Sequence, residues 1–240
     1  MNNMSIAKKV HIPLVATISI GFLIILINFF SSISTIKDEV YTTQSDILND
    51  YFTAALESKE SVCITNALNI ANNYHVVNAL KTADREVAID GLNTLSKSYK
   101  DNTDFKNIKV HVHDANAHSF LRAWKPTKFG DDLSGFRQTV NEVKKSHKAI
   151  VAVELGRAGL VLRGLAPVMD GSEYLGSVEF MQGLNSIVKG GKKHNIDVAI
   201  YLKNEYLKVA TLMGDAPKLQ DYTLAVNESV VSKDFTANLG

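Results

Sequence analysis

The sequence predicts an α+β fold: a long N-terminal helix, apolar at first and amphipathic later, laid on one face of an antiparallel sheet. Three observations predict it. Val10 to Phe30 is an apolar run, and no Pro or Gly occurs from Ser31 through Leu80. The hydrophobic period then changes from helical to alternating near Ile108. Finally, two strand-like stretches meet at Asp170-Gly171, a dipeptide that favours a tight hairpin, with no crossover helix of the kind parallel strands need.

The apolar run has no Lys, Arg, Asp or Glu from Val10 through Ile36. About 20 apolar residues suffice for a helix to cross a ~30 Å hydrocarbon core, where every backbone hydrogen bond must be satisfied internally. A cleaved signal has a shorter core and a small-residue cleavage site, so the run reads as an uncleaved anchor. Lys8 and Lys9 precede it and no cation follows until Lys37. The excess of positive charge on the cytoplasmic side orients residues 1–9 inward and sends the rest of the chain outside. The 240 residues carry a net charge of +1 with 21% charged residues, a balance that excludes a nucleic-acid binder with a basic stripe. A single cysteine, Cys63, excludes an internal disulfide and any thiolate metal cluster, and its expected role is helix packing.

From Ser31 to about Tyr74, Ile33, Ile36, Val40, Ile47, Tyr51, Ala54, Ala55, Val62, Ala67, Leu68 and Ala71 recur at spacings of three, four and seven. That is one face of a helix, expected to be continuous, with a break near Asn72-Asn73 as the alternative. A second helix follows from Ala83 or Asp84 to Tyr99, capped by Asp84 and ended by Asp101-Asn102-Thr103-Asp104. Ile108, Val110 and Val112 alternate with Lys109, His111 and His113 in a strand that turns at Asp114–Ala117, and Ser119 to Trp124 pairs with it. A loop at 125–132 opens a helix from Leu133 to His147, with Asp131 or Asp132 as cap and Phe136, Val140 and Val143 inward. Three strands, Ala149–Leu155, Leu160–Met169 and Tyr174–Leu184, come next. Beyond them the chain reads as a short helix at 186–195, a hairpin pairing 196–202 with 206–212, and a last strand starting in 225–231.

Several polar residues interrupt these apolar patterns. Arg122 and Trp124 share a strand face with Phe120. An Arg fork beside an aromatic plane suits a small carboxylate ligand, or else is an Arg stacked on a Trp at the surface. Arg163 and Glu179 fall in otherwise apolar strands, and buried charge must be paired. They read either as an ion pair across the sheet or as an Arg left for a ligand anion. Arg137 faces a pocket or solvent, and the loop containing Asp131 and Asp132 is the natural lid. His111 and His113, at i and i+2, can reach one metal, with His118 across the turn, but no carboxylate or Cys spacing completes a site. No Cys-x-x-Cys-His, Gly-x-Ser-x-Gly, His-Glu-x-x-His, phosphate loop or dinucleotide fingerprint occurs. Neither catalysis nor a cofactor or metal is expected.

Val110–Asp114 through Ser119–Trp124, then Lys128–Arg137, Leu162–Val168 and Tyr174–Phe180, resemble the double-Cache sensors of bacterial chemoreceptors, the double Cache 3 group. The resemblance covers Lys106 to Lys189 well and the helical part in outline. It implies a PAS-like sheet and a ligand pocket, for which His113, Arg122, Trp124, Asp132, Arg137, Arg163 and Glu179 are the candidate residues. It also implies a membrane-anchored homodimer formed through the stalk helix, with a carboxylate, amino acid or amine as ligand and no nucleic-acid partner. On this reading residues 1–9 are cytoplasmic, 10–30 span the bacterial inner membrane and 31–104 form a helical stalk. Residues 105–200 form a membrane-distal Cache module in the periplasm, and 201–240 begin a membrane-proximal one. Such receptors continue through a second membrane helix to an output domain, so the chain reads as the N-terminal part of a longer receptor or a truncated frame. The same sensor type precedes histidine kinases and cyclic-dinucleotide synthases, and the competing class is a tethered protein-interaction module without a pocket.

Overall fold

The computed structural model describes residues 6–102 and 109–239. Thr103-Asp104, read as the end of the second helix, and Ile108, read into the first strand, lie outside the described residues. The chain divides into two units, the first ending at Tyr51 and the second beginning at Phe52.

The first unit is helical. Helix α1 (Ile6–Ala71) is, among the described residues, the one helix long and apolar enough to cross a membrane. Nearly all of its large apolar side chains from Val10 to Phe30 are exposed. Two polar side chains within that stretch turn back on the helix: Thr17 Oγ1 donates to the Pro13 carbonyl and Asn28 Nδ2 to the Ile24 carbonyl, each at 2.8 Å. A polar group facing hydrocarbon needs such a partner.

The second unit is built on a five-stranded antiparallel sheet, β1 (Lys109–Asp114), β2 (Ser119–Arg122), β3 (Ile150–Gly156), β4 (Gly159–Asp170) and β5 (Glu173–Gln182), in the order β2-β1-β5-β4-β3. Gly171, at φ 60°, makes the predicted β4–β5 turn without the Cβ clash that a left-handed backbone imposes. One face presents Val110, Val112, Leu162, Ala166, Val168, Val178 and Phe180 to Cys63, Ala67, Ile70 and Ala71 of α1. Val76 and Ala79 of α2 (Tyr74–Thr82) and Ala88 and Leu92 of α3 (Arg85–Asn102) complete that core. The Cys63–Ala71 stretch uses small residues where it meets the sheet, so the helix backbone lies close to β4. The opposite face is covered by α4 (Gln138–Ser146), whose Val140 and Val143 pack with Ala117 and Leu165.

α1 ends at Ala71, and Asn73 starts a new helix by accepting from the His75 amide, so the break near Asn72-Asn73 is the form the chain takes. Asp84 caps α3 as expected, its Oδ1 accepting from the Glu86 amide. The helix expected from Leu133 begins only at Gln138: Leu133 to Arg137 is a turn in which Asp132 Oδ1 accepts from the Ser134 amide. Asp131 does not cap, and Phe136 is 64% exposed rather than inward. The hairpin expected between 196–202 and 206–212 does not form. After α5 (Asn185–Lys193), β6 (Tyr201–Lys203) leads into a 3₁₀ turn at Asn204–Lys208 and pairs instead with β8 (Tyr222–Leu224), which also holds β7 (Lys218–Leu219). The expected strand at 225–231 is a 3₁₀ turn, Glu228–Val230, followed by the short α6 (Lys233–Ala237).

Candidate functional site

Strand alternation sends Val110 and Val112 into the helix-side core, so His111 and His113 must point to the other face. The β1–β5 register sets His111 opposite Glu179 and His113 opposite Ser177, while β4–β5 sets Arg163 opposite Met181. The outcome is a polar cluster on the α4 side of the sheet, under Arg137 at the start of α4.

Glu179 is fully buried, and its Oε1 accepts from Arg137 Nη2 at 2.5 Å and Arg163 Nη1 at 2.6 Å. The same two guanidinium groups reach Glu154 Oε2, Arg137 Nε at 2.9 Å and Arg163 Nε at 3.2 Å. Two cations and two anions thus alternate in a ring of zero net charge, in which mutual pairing offsets the cost of removing four charges from water. Burial alone would raise the Glu179 pKa, but His111, Arg163 and Arg137 overcome it and hold the carboxyl well below the usual range. His111 and His113 are pushed the other way from a charged state: burial keeps both imidazoles neutral, Glu179 opposing the effect. His111 Nδ1 lies 3.5 Å and His113 Nε2 3.8 Å from Glu179 Oε2.

Above this floor opens a cavity of about 1120 Å³, within the second unit. Of the candidate residues, Arg122, Trp124, Arg137 and Arg163 line it together with His111, while His113 and Glu179 lie behind the wall. Asp132 is exposed in its turn and does not line the cavity. Arg122 is held in a bidentate pair with Asp131, at 2.6 and 2.7 Å, and donates again to the Lys128 carbonyl, so it fastens the 125–131 loop. A bulge between Val112 and His113 alters the β1–β2 register. In consequence Phe120 packs on the helix-side core, and Ser119 is the β2 side chain that reaches His111. His118 pairs with Asp114 outside the cluster.

Sequence reasoning missed Glu154, the fourth member of the ring, and the cations Lys109, Lys125, Lys128, Arg157 and Lys208 of the cavity wall. None of those five forms an ion pair among the described residues. Glu154 stands between apolar residues of β3, and only the β3–β4 register, which sets it opposite Val161, places it on the Arg163 face. The lysines are unremarkable singly and matter only as a group.

The Arg122 guanidinium lowers the Asp131 carboxyl to about 2. Because the folded value lies below the ordinary ~3.9, the pair's contribution is fully present above about pH 4 and is lost as pH falls through the folded value. Carboxyl-carbon NMR titration of Asp131 should give a midpoint near 2, returning toward ~3.9 in Arg122→Gln. An unchanged midpoint in that variant would mean that another group holds the carboxylate.

No curated protein matches the sequence. Solved structures that resemble it include the sensor domain of the V. cholerae histidine kinase DctB, at TM-score 0.47 and 15% identity, over 59% of this chain and 55% of that one. The E. coli DcuS sensor domain matches at TM-score 0.45 and 15% identity, over 59% and 98%. The ligand-binding domain of the Campylobacter jejuni chemoreceptor Tlp3, in complex with L-valine, matches at 0.46 and 15%, over 65% and 64%. The chain thus spans little more than half of the DctB sensor-domain chain. Residues 41–214, most of the sequence, match the profile of the double sensory domain of two-component sensor kinases, and the protein belongs to that family, dCache_3.

Proposed function

We propose that the chain is the small-molecule sensing region of a transmembrane chemoreceptor, with its N-terminus cytoplasmic, α1 anchored in the bacterial inner membrane and the sheet in the periplasm. The observation that carries this reading is the cavity, floored by a rigid Arg–Glu ring and walled by five cations with no carboxylate partner among the described residues. Pockets of this kind take ligands that return the missing charge, so the ligand class is a small carboxylate, held by the unpaired wall cations, Lys125 and Lys128 among them, over the Arg137–Arg163 floor and beside Arg122 and Trp124. The half-exposed Trp124 offers a plane for an apolar or amino-bearing part. A second reading, in which the same region serves a histidine kinase, is favoured by the family's description as a sensor-kinase domain. Neither reading gives the chain a catalytic role.

Occupancy passes, on this proposal, to α1. Arg163 faces the cavity while the adjacent Gly164 touches the α1 backbone at Cys63, so β4 links the two faces of the sheet. Ligand then shifts a population between two packings of helix on sheet. Two copies associate through Ile33, Ile36, Val40 and Ile47, which are exposed along α1, a contact that disulfide crosslinking from a cysteine at Val40 reads directly.

Calorimetric titration of the whole chain in nanodiscs with a mono- and dicarboxylate, an amino acid and a simple amine tests the ligand class. Carboxylates should bind and the amine should not, and Lys125→Glu with Lys128→Glu should weaken carboxylate binding about tenfold, roughly the effect of one ~1.4 kcal/mol interaction. Binding of the amine alone, or indifference to both reversals, would overturn it.

A further inference from the structure

Besides Arg163 Nε, which faces Glu154, and Gln182 Nε2, two buried side-chain atoms have no hydrogen-bond partner among the described residues: His113 Nε2 and Glu179 Oε2. They lie 3.8 Å apart, and His111 Nδ1 is 3.5 Å from the same oxygen. We propose that His111 Nδ1, His113 Nε2 and Glu179 Oε2 bind one divalent transition-metal ion of the zinc class.

Four features support the site. All three donor atoms lie within 4.8 Å of one another, a spread that small side-chain rotations close toward the ~3.4 Å separation set by bonds of about 2.1 Å around a tetrahedral ion. The second nitrogen of each imidazole is held by a hydroxyl: His111 Nε2 is 2.8 Å from Ser119 Oγ and His113 Nδ1 is 2.9 Å from Ser177 Oγ. Metal-binding histidines are oriented by outer partners, and each hydroxyl here can accept from the outer nitrogen, which leaves the inner lone pair for an ion. Both rings are buried, so bulk water does not compete for their inner nitrogens. Finally, both arginines bond Oε1 of Glu179, leaving Oε2 to the histidines.

Two nitrogens and one oxygen select Zn²⁺, Ni²⁺ or Cu²⁺ over Mg²⁺ and Ca²⁺, which take oxygen donors. The Arg–Glu ring is already neutral, so the ion's charge adds to the cationic cavity wall. His111 lines that cavity and provides the way in. Three protein donors leave a coordination position for solvent or an anion. The sequence showed the two histidines but not the completing carboxylate, which lies 68 residues beyond His111 in the chain (179 − 111) and arrives only through the β1–β5 register.

The test uses the whole chain, stripped with a chelator and titrated with zinc chloride, with no organic ligand present, so its outcome is independent of the carboxylate reading. The expected result is one Zn²⁺ per chain, a melting temperature raised by several degrees, and no response to magnesium chloride. His113→Ala should abolish the binding. Should that variant fail to fold, Ser177→Ala, which spares every donor, should weaken it about 10–100-fold. Absence of one-to-one binding in the native chain would overturn the proposal and assign the two orphan atoms to a buried water or a shared proton. So would zinc binding unchanged in both variants, which would place the ion elsewhere.

Discussion

Glu179→Ala lowers the unfolding free energy by about 3–5 kcal/mol, the range measured when one partner of a buried ion pair is removed. Arg163 is 7% exposed and Arg137 is held against the sheet from the start of α4, so each guanidinium stays largely buried when its carboxylate goes. Glu154 is then left to balance two cations. For a unit of this size the loss corresponds to a melting temperature lower by roughly 6–20 °C, at about 2–4 °C per kcal/mol. The cause is the stranded charge rather than the net worth of the pair, which makes a second prediction within the first. Adding Arg163→Leu to Glu179→Ala should cost less than the sum of the two single replacements, because the double variant strands one cation fewer. Urea denaturation of the four proteins reads the coupling, and strict additivity would mean that the ring does not act as a unit.

Gly164→Ala acts on the other face of the same strand. A Cβ at this position falls 2.3 Å from the Cys63 carbonyl oxygen, 2.4 Å from its carbon and 2.8 Å from the Ile64 nitrogen. These are backbone atoms inside α1, so no rotamer change relieves the clash and the helix must move off the sheet. Overpacking a well-filled core costs typically about 1–3 kcal/mol, and a backbone obstacle puts this substitution at the upper end. Cys63 provides a local readout, being the only cysteine, fully buried, and donating weakly to the Leu162 carbonyl. Burial raises its thiol to about 11, so it should resist alkylation at neutral pH. In Gly164→Ala it should react with a maleimide at least tenfold faster. Unchanged labelling would mean that the α1–β4 contact tolerates the methyl group and cannot be the tight link between sheet faces invoked for signalling.

The parts legible in the sequence are those governed by local rules. The Asp170-Gly171 turn, the Asp84 cap and the β1 alternation that pairs His111 with His113 on one face all follow from neighbouring residues. What escaped depends on register and long-range pairing. Asp131 looks like a helix cap because caps are local, yet its carboxylate is taken by Arg122, nine residues earlier on a strand. The Arg163–Glu179 pairing was readable as an expectation, whereas the roles of Glu154 and Arg137 depend on which strand edge and which helix start face them. Between Ile196 and Val231 the strands are only two or three residues long and too short to show a period, which is why the expected hairpin dissolved into a 3₁₀ turn and a non-local pairing of β6 with β8.

The central claim is that a small carboxylate settles over the Arg–Glu ring and that α1 registers its arrival. Amide hydrogen exchange of the whole chain, with and without a saturating carboxylate, tests it most directly. Protection should appear in the 125–137 loop and in β4 around Arg163, together with a change in the Cys63–Ala71 stretch of α1 across the sheet. Protection confined to other surfaces, or none with any carboxylate, would contradict the account.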